Sequence, residues 1–221
     1  MITFSQSGFM KKARGFAAIA IAIGALTAAL PARAIIVSGS VTTAGAAFVK
    51  LSVPLVTSTP FNSVGNDTYN SPNLFGFDES QNILLVANLV MDIGATIVAG
   101  TQVASHYVFF DPQSGTIDGL VDFDAMVLGI ITSRSLLINS DVLANTGVNY
   151  LSPAARGLEP GDVASITGLN QIRLVASASS PGDYIRVITA FSPGAVPEPG
   201  TLALIGAALA ALALSRRRGA R

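Results

Sequence analysis

The chain has no cysteine and no tryptophan, a single histidine, and only four tyrosines among 221 residues. Without cysteine there is no disulfide, no thiolate nucleophile and no thiolate metal site, so a folded body must rest on apolar burial alone. Without tryptophan, and with so few tyrosines, the aromatic platforms on which sugar rings stack are scarce. One histidine restricts histidine-based chemistry to His106. Charge is sparse too, and the two apolar stretches, Phe16 to Leu30 and Thr201 to Leu214, are each shorter than the ~20 residues of an ordinary membrane span. What the chain does have is an unusual pair of ends.

The C-terminal end reads Val196-Pro197-Glu198-Pro199-Gly200, then an uncharged run from Thr201 to Ser215, then Arg216-Arg217-Arg218. Pro197 and Pro199 hold their neighbours in extended backbone, which presents Glu198 in the conformation that a protease-like enzyme reads. As a helix, Thr201 to Leu214 spans ~21 Å at 1.5 Å per residue. That is short of the ~30 Å hydrocarbon core, so it predicts a marginal transmembrane helix that crosses by thinning the bilayer while the arginines snorkel. The basic cluster favours a cytoplasmic C-terminus and leaves Pro197-Glu198-Pro199 just outside the membrane.

This order of parts resembles the PEP-CTERM sorting signal of exported bacterial proteins. The resemblance implies recognition by exosortase, a membrane-embedded transpeptidase-like enzyme, in bacteria that usually also make exopolysaccharide. It implies transient membrane insertion, an inner-membrane-anchored precursor, and then a cell-surface or extracellular-matrix destination.

The N-terminal end carries Lys11, Lys12 and Arg14, the apolar stretch Phe16 to Leu30, and then Pro31-Ala32-Arg33-Ala34. Ala32 and Ala34 fit the small-residue rule of a signal-peptide cleavage site, so a helical signal peptide over residues 1–34 and a mature start at Ile35 are expected. A start at Met10 would give a tighter basic region, and both starts remain open. The secretion machinery is the implied partner.

Setting both ends aside changes the meaning of the charge. The whole chain is formally neutral, but the four bases of the leader and the four of the tail leave five in residues 35–195, against twelve acids, a net charge of −7. An acidic body has no footprint for nucleic acid and is repelled by anionic membranes.

Within the body, short apolar runs alternate with turn residues, which predicts an all-β fold. Strands are expected over Ile35–Val41, Phe48–Val56 (an edge, given Pro54), Asn82–Ile93, Thr96–Val98, Val103–Phe110, Gly115–Phe123, Met126–Thr132, Gln171–Ala178 and Tyr184–Ala190. Thr57 to Pro72 reads as an exposed loop and Ser140–Leu143 as a single helical turn. Glu159-Pro160-Gly161-Asp162 and Ser180-Pro181-Gly182-Asp183 read as turns. Eight to ten such strands predict one antiparallel β-sandwich over residues 35–195, with a jelly-roll version open, between the signal helix and the sorting signal of residues 196–221. The pieces Ser105 to Pro112, Phe123 to Ile131, Arg156 to Asp162 and Pro181 to Val187 resemble a β-rich domain common in exported PEP-CTERM proteins. That resemblance spans roughly Leu74 to Ala190 and brings no assigned activity and no catalytic residues.

Candidate chemistry in the body is thin. His106 would need a serine such as Ser105 or Ser133 and an acid such as Asp111, but strand alternation puts Ser105 and Asp111 on the face opposite His106. No Gly-x-Ser-x-Gly elbow is present. Glu79, Asp111 and Glu159 are the acids available for a glycosidase pair. Asp118, Asp122 and Asp124 share one face of a strand, and calcium would relieve their repulsion, although alternate residues lie ~7 Å apart. Asn66-Asp67-Thr68 has sequon spacing and reads as a loop, and Arg134, Arg156, Arg173 and Arg186 are too dispersed for an anion site. The expectation is a non-enzymatic envelope or extracellular-matrix (exopolysaccharide- or biofilm-associated) protein that needs no cofactor. The alternative is a secreted module for polysaccharide or calcium.

Overall fold

Along Ser114–Phe123 the side chains alternate as the pattern requires: Ile117, Gly119, Val121 and Phe123 are buried, while Asp118, Leu120 and Asp122 are half-buried on the opposite face. This strand belongs to a mostly β body, which the computed structural model describes over residues 33–191. The signal helix and the short transmembrane helix expected on either side lie outside the described residues, as do Ala32, Val196 to Pro199 and Arg216 to Arg218. Among the described residues no helix is long and apolar enough to cross a membrane.

In chain order the strands are β1 (Ile36–Val41), β2 (Phe48–Lys50), β3 (Ser63–Val64), β4 (Leu74–Asp78), β5 (Ile83–Leu84), β6 (Ile93–Gly94) and β7 (Gln102–Phe110). There follow β8 (Ser114–Phe123), β9 (Val127–Ile131), β10 (Asn149–Tyr150), β11 (Val163–Gly168), β12 (Gln171–Ser179) and β13 (Asp183–Ala190). One sheet runs β1-β8-β12-β11, a larger one runs β2-β4-β7-β13-β9-β6 with β5 beside β7, and β10 pairs with β3. Between the two main sheets lies a core of Ile36, Ile117, Val121, Ile172 and Leu174 from one and Val108, Phe110, Ile130, Ile185 and Val187 from the other. A second core, on the other face of the larger sheet, gathers Phe75, Phe77, Tyr107, Phe109, Tyr184 and Ile188 with Leu55, Leu85, Leu137 and Leu143. Because β7 and β13 are covered on both faces, they read as nearly continuous apolar runs.

Several expectations need correction. Pairing is not wholly antiparallel, since β2 with β4 and β10 with β3 run parallel. The run Asn82–Ile93 is not one strand. It pairs with β7 only at Ile83 and Leu84 and with β9 only from Ile93, because it crosses from one strand to the other and covers the second core with Leu85 and Met91. The loop from Thr57 to Pro72 is not simply exposed: Ser58, Ser63, Val64 and Thr68 are buried, and Val64 and Tyr69 pack on that core. Strand β2 lies at the edge of its sheet, as Pro54 implies, but ends at Lys50 and does not run on to Val56. Strands β4 and β11 and helix α1 (Arg134–Asn139) are additional to the expected elements, while the helical turn expected over Ser140–Leu143 is present as a 3-10 turn at Asp141–Leu143.

Candidate functional site

Beneath α1, the second core holds a charged network. Arg186 of β13 is fully buried and grips Glu79 with two hydrogen bonds, Nε to Oε2 at 2.7 Å and Nη2 to Oε1 at 2.9 Å. Glu79 also accepts from Ser105 Oγ at 2.5 Å and from the Tyr150 hydroxyl at 2.6 Å. Nη1 of Arg186 donates to the Leu137 carbonyl and to Ser140 Oγ at the end of α1, and Nη2 reaches Asp141 at 3.2 Å. Asp141 in turn takes a bidentate pair from Arg156, at 2.9 and 2.6 Å.

Burial opposes the Arg186 charge, yet Glu79 outweighs it and raises the guanidinium pKa. Burial, then the Glu79 charge, push the Tyr150 hydroxyl far up, so it stays a donor. Each charge in this network has an opposite partner, which is the condition for keeping it out of water. Arg156 and Arg186, dispersed in sequence, thus meet through Asp141. Arg134 lies apart and donates to the Ala154 carbonyl, while Arg173 sits on the outer face of β12.

A second constellation sits between the two main sheets. Asp78 Oδ1 lies 2.8 Å from His106 Nδ1, and His106 Nε2 lies 3.0 Å from Thr189 Oγ1. Acid, imidazole and hydroxyl stand in the order of a nucleophilic triad. His106 and Thr189 are both 0% exposed, however, so no substrate carbonyl reaches the hydroxyl. Burial works to raise the Asp78 carboxyl, but hydrogen bonds from His106, the Ile36 amide and Lys50 hold it below its ordinary value. Ser105 points away from His106 and binds Glu79, as strand alternation requires. Ser133 opens α1, its amide held by Asp92 at 2.8 Å. Asp78 and Thr189 escaped the sequence reading because only strand pairing, β4 and β13 on either side of β7, brings them to His106.

The carboxylates weighed for sugar chemistry do not converge. Glu79 is locked to Arg186. Asp111 is buried and accepts from the Tyr69 amide, Thr68 Oγ1 and the Tyr184 hydroxyl. Burial raises the Asp111 carboxyl above its ordinary range. Glu159 stands on an exposed turn. Thr68 of the sequon-like triplet is thereby committed to Asp111.

Nor do Asp118 and Asp122 of β8 and Asp124 just beyond it gather on one ion. Asp118 forms a bidentate pair with Arg173 at 2.8 and 2.6 Å, which lowers its pKa. Asp122 accepts from Ser38 Oγ and Gln171 Nε2, and Asp124 from the Ile35 amide at 2.7 Å. Among the described residues no group of three His, Cys, Asp or Glu side chains could hold a metal ion. A groove of about 230 Å³ opens on this outer face, lined by Thr43, Thr116, Asp118, Asp162 and Ser177 among others. Its acids are already engaged, Asp162 by the amides of Glu159 and Ser177.

At the start of the body, Ala34 is fully buried against Ala104 and Ala125, and the Ile35 carbonyl accepts from the Asp124 amide at 3.1 Å. At the other end, Ala190 closes β13 and the chain continues toward its tail. Residues 195–218 match the PEP-CTERM protein-sorting motif. The match contains Val196, Pro197, Glu198 and Pro199 and extends through Arg216, Arg217 and Arg218. No curated protein and no solved structure matches the chain. The sorting motif marks an exported protein whose membrane-anchored precursor is recognised and processed by exosortase. The β-rich body agrees with a domain of unassigned function.

Proposed function

We propose that this chain is a non-enzymatic protein of the cell envelope or extracellular polymer matrix, released from a signal peptide after Ala34 and from its tail by exosortase. The sorting motif at residues 195–218 carries the reading, because it assigns a route and a processing enzyme that acts on the chain. The body supports it through what its polar groups do. Glu79, Arg186, Asp141 and Arg156 are paired with one another, and the Asp78-His106-Thr189 relay is closed to substrate. Such groups hold a fold; they do not present themselves to a ligand.

Glu198→Gln and Pro197→Ala, each followed by cell fractionation, test the route. Both variants should accumulate as a larger, membrane-bound form. Wild-type and variant chains of the same size in the same fraction would count against processing at the motif.

The 230 Å³ groove beside Asp118 and Asp162 favours one second reading, a secreted module for polysaccharide or calcium. A glycan array with the exported protein, and thermal melts with and without chelator, decide between the two. The structural role predicts no glycan signal and an unchanged midpoint.

A further inference from the structure

We propose that the end of the body from which both chain termini leave is a lipid-contacting surface, resting on the bilayer while the tail anchors the precursor. This rests on the membrane-anchored reading of the tail. Strand pairing brings the two ends of the body together. Ala34 packs on Ala104, Ala104 pairs with Thr189, and Ala190 pairs with Val103 and donates its amide to the Met126 carbonyl. Leu84 pairs with Gln102 at the same end, and the Val127 amide reaches the Leu169 carbonyl there.

This end exposes several large apolar side chains to solvent. Val86 is 96% exposed, Leu169 77%, Val98 63%, Leu84 61% and Met126 47%. From Asn82 to Thr101 the sole charged residue is Asp92, and its carboxylate is held at the far end of β9 by the amides of Thr132 and Ser133. The acids beside the leaving N-terminal segment are engaged, Asp124 by the Ile35 amide, Asp78 by the Ile36 amide and Asp122 by Ser38 Oγ. The body as a whole carries a net charge of −7 and is repelled by anionic headgroups, so a lipid contact falls to an end that exposes apolar side chains.

Chain length then selects the occupant. Five residues, Phe191 to Ala195, separate Ala190 from Val196. At 3.3–3.6 Å per residue this stretch can reach at most about 20 Å, a short tether to a motif expected just outside the membrane in the anchored precursor. An apolar rim on so short a tether meets the interfacial region before it meets any soluble partner, and aliphatic side chains partition there.

The absence of cysteine makes the test direct, since any introduced cysteine is unique. Leu169→Cys and Leu84→Cys in the full chain, with Gln113→Cys as an exposed control at the opposite end, are labelled with an environment-sensitive fluorophore. Each chain is reconstituted into liposomes of phosphatidylcholine and phosphatidylglycerol containing nitroxide lipid. The proposal expects the labels at 169 and 84 to be quenched severalfold more than the label at 113, and Met126→Asp to reduce that quenching. Equal quenching at the three positions on floating liposomes overturns the lipid contact and leaves the anchor intact. A shifted emission without nitroxide quenching overturns it too, in favour of contact with a second copy or another protein. Failure of the full chain to float with the liposomes contradicts the anchored reading itself, and the proposal falls with it.

Discussion

Arg186 organises the polar interior, and its effect is readable one side chain at a time. Its guanidinium is fully buried and bound to Glu79, Ser140, Asp141 and the Leu137 carbonyl, so removing Glu79 leaves a charge without its main partner. Glu79→Ala should cost about 3–5 kcal/mol in urea unfolding, the usual cost of breaking a buried pair from one side. The double variant Glu79→Leu, Arg186→Met should cost less than the single one. Asp183 makes a prediction in pH. Burial first, then the Asp162 and Glu159 carboxylates, push its carboxyl up to about 7. An unfolded aspartate titrates near ~3.9, so between that value and 7 the folded chain holds a proton that the unfolded chain has lost. This contribution to stability is fully present below the unfolded value and falls away as pH rises through the folded one. Asp183→Asn removes the dependence: thermal melts should converge with wild type near pH 4 and lie above it at pH 8. Parallel pH profiles for the two proteins would contradict this role of Asp183.

The elements show how far the sequence could be read. Strands β7, β8, β12 and β13 were legible because each is long, pairs along its length and buries a regular set of side chains. The run Asn82–Ile93 is apolar too but pairs with β7 and β9 only near its ends, with a single bridge from Leu89 to Ile97 between, and nothing local distinguishes an apolar run that pairs along its length from one that covers a core. Helix α1 was illegible for a related reason. It has no side-chain cap and no acid in its first turn, and is held instead by buried Leu137 and by Arg186 donating to its carbonyl. The two Pro-Gly-Asp turns were legible but are not equivalent. Gly161 and Gly182 both have positive φ, +111° and +90°. A Cβ at Gly161 meets open space, whereas one at Gly182 lies 2.8 Å from the Phe110 carbonyl oxygen and from Asp111 Oδ1. Both alanine variants should lose about 1 kcal/mol or more to backbone strain, and Gly182→Ala clearly more than Gly161→Ala in urea midpoint. Equal losses would contradict the close approach at Gly182.

At the scale of the whole molecule, the linear parts spoke and the folded part did not. Pro197, Glu198, Pro199 and the three arginines are read as a string, so their meaning survives without a structure. The residues weighed for chemistry depend on pairing: His106 needs β4 and β13, Glu79 needs β13, and Asp118, Asp122 and Asp124 are taken up by Arg173, Ser38, Gln171 and the Ile35 amide. The protein is thus a body that is delivered and a tail on which a processing enzyme acts. Intact-mass measurement of the protein from membrane and extracellular fractions tests this most directly. Wild type should appear outside the cell as a chain that begins at Ile35 and lacks the arginine-bearing end of the tail, while Glu198→Gln stays in the membrane with residues 196–221 intact. An extracellular wild-type chain that still carries Arg216 to Arg221 would contradict it.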